Sequence, residues 1–265
     1  MDLKLQDELY ELALTAARAA GDLLMNRPSK FDVTQKTSAV DFVTQMDKQS
    51  ESLIIDLILG RRADDSILAE EGGNHTGNSG ITWVVDPLDG TVNYFYDLPG
   101  WNISIAAMDS QGVQIGVVYA PSIDSLWAAR KGKGATLNGA EIEVGQVEEL
   151  AKSLITTGYS YELERRIEQG EVTSAIVPQV RDLRRFGAAA VDLCNVACGR
   201  VDGYFEYGLQ PWDRAAGMLI ASEAGAISTN LTGAEPDYEM IICANPTLQP
   251  KLLAAVSAAY RQARG

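Results

Sequence analysis

Trp83-Val84-Val85 is apolar enough to lie inside a protein, yet it runs straight into Asp86-Pro87-Leu88-Asp89-Gly90-Thr91. A buried strand there delivers Asp86 at its end. Pro87 removes a backbone donor and stiffens the chain just beyond it. The segment reads as a turn that points Asp86 and Asp89 into one pocket, with Gly90 permitting close backbone approach. Thr91 opens what reads as a short helix, and amides at a helix start suit an anion. A site for hard cations would then lie beside a site for phosphate. Taken alone, the segment is also compatible with a tight turn whose aspartates only cap the backbone.

Two other segments favour the pocket. Ser66-Ile67-Leu68-Ala69 reads as a buried strand ending in Glu70-Glu71, and neighbouring strands would set a carboxylate next to Asp86. Far downstream, Pro211-Trp212-Asp213-Arg214 opens a helix with Asp213 in its first turn. The positive helix end is expected to keep that carboxylate ionised.

The remaining pattern surrounds these residues with helices and strands. Leu5, Leu9, Leu12, Ala16, Ala20 and Leu23 recur at helical spacing up to Pro28, and a second helix is expected over 44–60. Strands are expected at 102–108 and 113–119, then at 125–129 and 135–137. A polar stretch, 138–151, is a plausible seam. It divides the chain into an N-terminal half, 1–145, with most of the acidic site residues, and a C-terminal half, 146–265. Beyond it come a strand at 154–157, helix at 161–180 and 188–199, a strand at 202–206, and helix at 212–224. A strand at 241–244 and a helix at 248–264 close the chain. Such alternation means sheets covered by helices.

Charge and composition exclude several functions. The 265 residues allow one or two domains, and the net charge of −14 argues against binding nucleic acid. The same charge would repel a phosphate substrate, so a phosphate site would need cations. There is no apolar run long enough for a membrane span and no secretory pattern at the start, so a cytoplasmic location and no membrane partner are expected. Cys194, Cys198 and Cys243 do not form a disulfide framework. Cys194 and Cys198, one helical turn apart, read as core residues, although a pair or a metal would suit the spacing. His75 is the only histidine and sits in a polar loop, which disfavours a histidine zinc site or a Ser/His/Asp triad. Lys36 reads as a solvated charge at a pocket rim.

Four motifs in order give the chain a likeness. Asp41-Phe42-Val43-Thr44-Gln45-Met46-Asp47, Ala69-Glu70-Glu71, Asp86 to Tyr94, and Trp212-Asp213-Arg214-Ala215-Ala216-Gly217 with Glu223-Ala224-Gly225 resemble the signatures of the inositol monophosphatase family. The resemblance spans nearly the whole chain. It implies an α/β fold, a layered α/β/α/β/α sandwich of the sugar-phosphatase type, and a homodimer. It also implies two or three Mg2+ ions. Glu70, Asp86 and the Leu88 carbonyl would hold the first; Asp86, Asp89 and Asp213 the second; and Glu70, through water, a weaker third. Clustered carboxylates without metal would repel one another and raise their pKa values.

The implied reaction is hydrolysis of a small phosphate monoester, myo-inositol monophosphate, by a metal-activated water. Glu70 would deprotonate that water with Thr91, whose hydroxyl Asp47 would hold. Asp89, Gly90, Thr91, Gly187, Ala188, Ala189, Glu206 and Asp213 would contact the substrate. Ala188 departs from the usual serine or threonine, so one hydroxyl contact is lost. Lithium sensitivity is a further implied property. Other sugar phosphates (fructose 1,6-bisphosphate, histidinol phosphate) stay open as substrates, as does a regulatory partnership with the transcription machinery.

Overall fold

The computed structural model describes residues 1–36 and 41–265. The first helix, α1 (Leu3–Met25), starts where the Asp2 carboxylate accepts the Leu5 amide at 2.8 Å. Its buried stripe includes Leu9, Leu12, Ala16 and Ala20. Two short strands, β1 (Val33–Gln35) and β2 (Phe42–Thr44), pair antiparallel and lead into α2 (Gln45–Arg61). Next come β3 (Ser66–Ala69), β4 (Thr82–Asp89), the short α3 (Thr91–Phe95), β5 (Asn102–Asp109) and β6 (Gly112–Ala120). Strands β7 (Ser125–Arg130), β8 (Ala135–Leu137) and β9 (Ala140–Ile142) complete the first sheet. The remainder is β10 (Leu154–Thr157), α4 (Leu163–Ile176), β11 (Asp182–Arg184), α5 (Ala189–Ala197), β12 (Gly203–Glu206), α6 (Pro211–Glu223), β13 (Ile227–Thr229), β14 (Ile241–Ala244) and α7 (Gln249–Ala263).

The larger sheet has seven strands in sequence order, β3 to β9, with only the β3–β4 pair parallel. The second sheet has the order β11-β10-β12-β14-β13, parallel on both sides of β10 and antiparallel on both sides of β14. Three hydrophobic cores join five layers, the middle core covering both faces of one helical layer. Ile103, Ile105, Ile115 and Val117 pack toward α1 and α2, forming the first. On the opposite face Val84, Ala106 and Val118 meet Leu193, Ile220 and Tyr204, so α5 and α6 lie between the two sheets. Ile155, Phe205 and Ile242 pack against α4 and α7 in the third. The central strands are buried on both faces, which explains their continuous apolar runs. This is the expected layered α/β/α/β/α sandwich. Among the described residues no helix is long and apolar enough to cross a membrane.

Some local expectations need correction. The Asp86–Asp89 segment is not a turn. β4 continues through it with a register shift, and Asp89 pairs with Asn102 of β5. A bulge accommodates Pro87, which lacks a ladder donor. Strand β9 lies inside the polar stretch read as a seam, and β1, β2, β11 and β13 carry no strand signal. Each has three residues, too few for an apolar alternation to show, and all but β2 are largely exposed.

Candidate active site

The α/β layering sets the ends of β3 and β4 opposite the start of α6. Ala69 stands beside Val85, and the Glu70 amide donates to the Val85 carbonyl at 3.2 Å, so Glu70 and Asp86 are neighbours as expected. Glu70, Asp86, Leu88, Asp89 and Asp213 all line one cavity of about 410 Å³. Gly90, Thr91, Gly187, Ala188, Ala189 and Glu206 line it too. Asp47 lies behind the wall, reaching the cavity through Thr91.

Each carboxylate is anchored through a particular oxygen. Asp86 Oδ1 accepts the Leu88 amide at 3.0 Å. Asp89 Oδ2 accepts both Asn102 Nδ2 and the Ala190 amide at 2.9 Å. Asp213 Oδ2 accepts the Gln210 amide at 2.6 Å, closing the capping box of α6. Asp47 Oδ2 accepts the Thr44 amide at 2.9 Å and the Thr44 hydroxyl at 2.6 Å at the start of α2. Its other oxygen, Oδ1, accepts the Thr91 hydroxyl at 2.9 Å, and the Leu88 carbonyl stands 3.2 Å from that hydroxyl. The Asp47–Thr91 contact expected from the resemblance is therefore present.

Electrostatics follow from crowding. Burial raises the Asp86 carboxyl well above its ordinary range, and Glu70, Asp89 and Asp213 raise it further. Asp213 is likewise raised by burial, then by Glu70 and Asp89, against the Gln210 amide. Burial and like charges outweigh the helix start here, whose terminal dipole is worth only about 1 kcal/mol, so the carboxyl is raised despite it. Asp89 is pushed up to about 6 by burial, with Asn102 and the Ala190 amide opposing. Glu70 is raised by burial despite Lys36. Lys36 is not a solvated rim charge: its ammonium bonds Glu70 Oε1 at 2.9 Å and also pairs with Glu71. Burial would lower Lys36, but the two carboxylates outweigh it and raise it.

The donor set suits a hard cation. It is all oxygen, buried at Asp86 and Asp89 and half-buried at Glu70 and Asp213, and short of positive partners at Asp86 and Asp213. Among the described residues no three carboxylate, histidine or cysteine groups close into a metal site on their own. The donors instead face a shared cavity, which fits magnesium, an ion that keeps several waters and takes few protein ligands.

Further residues of the site give little sign of themselves in the sequence. Asn102 fixes Asp89, Ser50 donates to the Pro87 carbonyl at 2.8 Å, and Glu51 accepts the Glu71 and Gly73 amides at 2.8 and 2.9 Å. Their only signal is a polar side chain at a buried position. Arg185 lines the cavity and adds a cation near Asp89 and Glu206. Gly90 has φ +84°, and a Cβ there would stand 3.3 Å from the Ala188 methyl, so the cavity wall is tight at Ala188. His75 is exposed, its backbone bridged to Ile67, and the three cysteines are free thiols.

Known proteins share this fold. A family model for the inositol monophosphatase family matches residues 5–261. A Vibrio cholerae protein named Nus factor SuhB is 40% identical over 230 residues, covering 85% of this chain and 86% of its own length. The crystal structure of extragenic suppressor protein suhB from Bartonella henselae superposes with a TM-score of 0.90 at 33% identity, over 94% of this chain and 98% of that one. An inositol monophosphatase from Anabaena gives 0.85 at 34% identity, over 95% and 96%. Fold and site together define a phosphatase built on a layered α/β sandwich, of a kind that generally depends on magnesium. Within that class, the chain belongs to the inositol monophosphatase family.

Proposed function

We propose that this chain is a magnesium-dependent phosphomonoesterase that hydrolyses myo-inositol monophosphate to inositol and phosphate. The observation that carries the reading is the meeting of Glu70, Asp86, Asp89 and Asp213 in one cavity that also holds Glu206. Glu70, Asp86 and the Leu88 carbonyl would hold one Mg2+, Asp86, Asp89 and Asp213 a second, and Glu70 a weaker third. When bound, the ions would neutralise phosphate charge and lower the pKa of the attacking water.

The chain's own groups do the rest. Thr91 donates its proton to Asp47, so its oxygen lone pairs are left to accept from the attacking water. Glu70 takes the water's other proton as general base, leaving hydroxide to attack phosphorus. The Gly90-Thr91 backbone and the wall from Gly187 to Ala189 hold the phosphate ester in place, and Asp213 stands on the leaving-group side. Glu206 accepts a hydroxyl of the polyol. A homodimer, a cytoplasmic location and lithium sensitivity belong to the same reading. Phosphate release from inositol 1-phosphate by the pure protein, with and without magnesium, tests it; no release across a panel of sugar phosphates rejects it.

The name of the Vibrio cholerae relative favours a second reading, a partnership with the transcription machinery. A turnover-dead Asp89→Asn protein separates the two. A transcription role that survives that change belongs to a binding surface, and one that is lost with it belongs to the site.

A further inference from the structure

Behind the cavity, β12 carries a second polar residue on the Glu206 face. Tyr204 stands two positions earlier, so both side chains leave the same side of the strand. β12 is the middle strand of the smaller sheet, and Tyr204 is fully buried. Its hydroxyl donates to Glu206 Oε2 at 2.6 Å. On its other flank the carboxylate rests on the backbone of Gly158, where a Cβ would fall 2.1 Å from Oε2 and 2.2 Å from Oε1. Glu206 and Gly158 line the cavity; Tyr204 stands behind them.

The surroundings leave Glu206 dependent on that hydroxyl. Burial raises Glu206 to about 7, and the Tyr204 bond opposes this more than the solvent-exposed Arg185 does. Asp192 of α5 is held well above the carboxylate range by burial and then by Glu206, so it offers Glu206 no favourable charge. A buried anion keeps its charge only where donors reach it.

We infer that Tyr204 is a positioning residue for polyol recognition: its hydroxyl occupies Oε2 of Glu206, and Gly158 leaves room for the carboxylate to present Oε1 as the remaining acceptor. This rests on the reading of Glu206 as the polyol acceptor. A carboxylate fixed on one oxygen selects one hydroxyl direction, whereas a loose one would turn between neighbouring hydroxyls of the ring. The contact lies away from the reacting phosphate, so it is made equally before and during reaction. Its loss therefore shows in KM and spares kcat.

The test compares wild type, Tyr204→Phe, Glu206→Gln and the double variant. The substrates are the polyol phosphate that wild type hydrolyses best, starting from myo-inositol 1-phosphate, and p-nitrophenyl phosphate, which lacks ring hydroxyls. Tyr204→Phe is expected to raise KM for the polyol phosphate about tenfold, with kcat within about twofold and a much smaller KM change for the aryl phosphate. Added to Glu206→Gln, the same change should cost less than about twofold more. Fully additive effects, or equal losses on both substrates, overturn the inference and leave Tyr204 a packing residue. If Tyr204→Phe melts early, Gly158→Ala pushes the same carboxylate from its other flank; an unchanged polyol KM there also overturns it. A wild type that prefers no polyol phosphate over the aryl one removes the Glu206 reading itself, a failure visible before any variant is made.

Discussion

Replacing Gly116 with alanine should damage the site from a distance. Gly116 lies in β6, buried beneath α6, where a Cβ would stand 2.7 Å from the Ala216 carbonyl oxygen, 3.2 Å from its Cα and 3.3 Å from its carbonyl carbon. All three are backbone atoms of a helix, so no side chain can swing away. Ordinary contact begins near 3.4 Å, so α6 must retreat from the sheet by about 0.7 Å. Overpacking of this kind costs about 1–3 kcal/mol, a fall in Tm of roughly 3–10 °C for a chain of this size. Asp213 sits one turn before Ala216 and moves with the helix, away from Asp86 and Asp89. A displacement approaching 1 Å is worth roughly 10- to 100-fold in kcat/KM, and the magnesium needed for half-maximal rate should rise. Thermal melting by circular dichroism and a magnesium titration of phosphate release measure both. Gly170→Ala in the exposed middle of α4 serves as control, since nothing lies within 4 Å of its Cβ; it should stabilise by about 0.5–1 kcal/mol. A Gly116→Ala protein that melts at or above wild type with unchanged magnesium dependence would refute the reasoning.

Four further outcomes are expected. Asp89→Asn and Asp213→Asn should each lower turnover roughly 10²–10⁴-fold with the fold intact, and near-wild-type rates at moderate magnesium would exclude the metal assignment. Lithium should inhibit by taking the position between Asp89 and Asp213, checked by titrating it at saturating substrate. Glu206→Ala should lower kcat/KM for inositol phosphate by about 1.5–3 kcal/mol and much less for an aryl phosphate, with magnesium dependence the same for both. Burial would raise the Asp65 carboxyl, but Arg62, Ser79 and Trp83 outweigh it and hold it below its ordinary value. Its charge therefore stabilises the fold above the unfolded-state pKa and is lost as pH falls through the lower folded value. The melting gap between wild type and Asp65→Asn should be widest near neutral pH and shrink below about pH 4; a gap independent of pH would contradict this.

Much of this architecture can be read from the chain because its elements announce themselves by burial. Leu9, Leu12 and Ala16 on α1, and the two-sided apolar runs of β5 and β6, leave little choice of period. The site is legible for a different reason. Asp86, Asp89 and Asp213 interrupt apolar segments, where an acidic residue has few uses. What stays hidden depends on partners distant in sequence. Lys36 reads as solvated because nothing near it in the chain shows that Glu70 and Glu71 lie across from it. Asp213 reads as favoured by its helix start, and nothing near it in the chain shows the burial and the approach of Glu70 and Asp89 that raise its carboxyl. Strand β4 runs on past Asp86 because Asn102 waits opposite Asp89, a pairing between residues 13 apart.

The division of labour between carboxylate oxygens bears on how such a chain would drift if its catalysis fell out of use. Asp47 secures the start of α2, Asp213 the start of α6, Asp89 ties β4 to β5 and α5, and Asp86 braces its own bulge. Each would still be kept for folding alone. Among the described residues the Glu70 side chain has no such second occupation: its bonds run to Lys36 and to the Asp86 carboxyl, all inside the cavity. A lineage that retired from chemistry and lived on as a binding partner could therefore carry an acidic set that looks intact. The first residue to wander would be Glu70, which makes it a better witness to living catalysis than the aspartates around it.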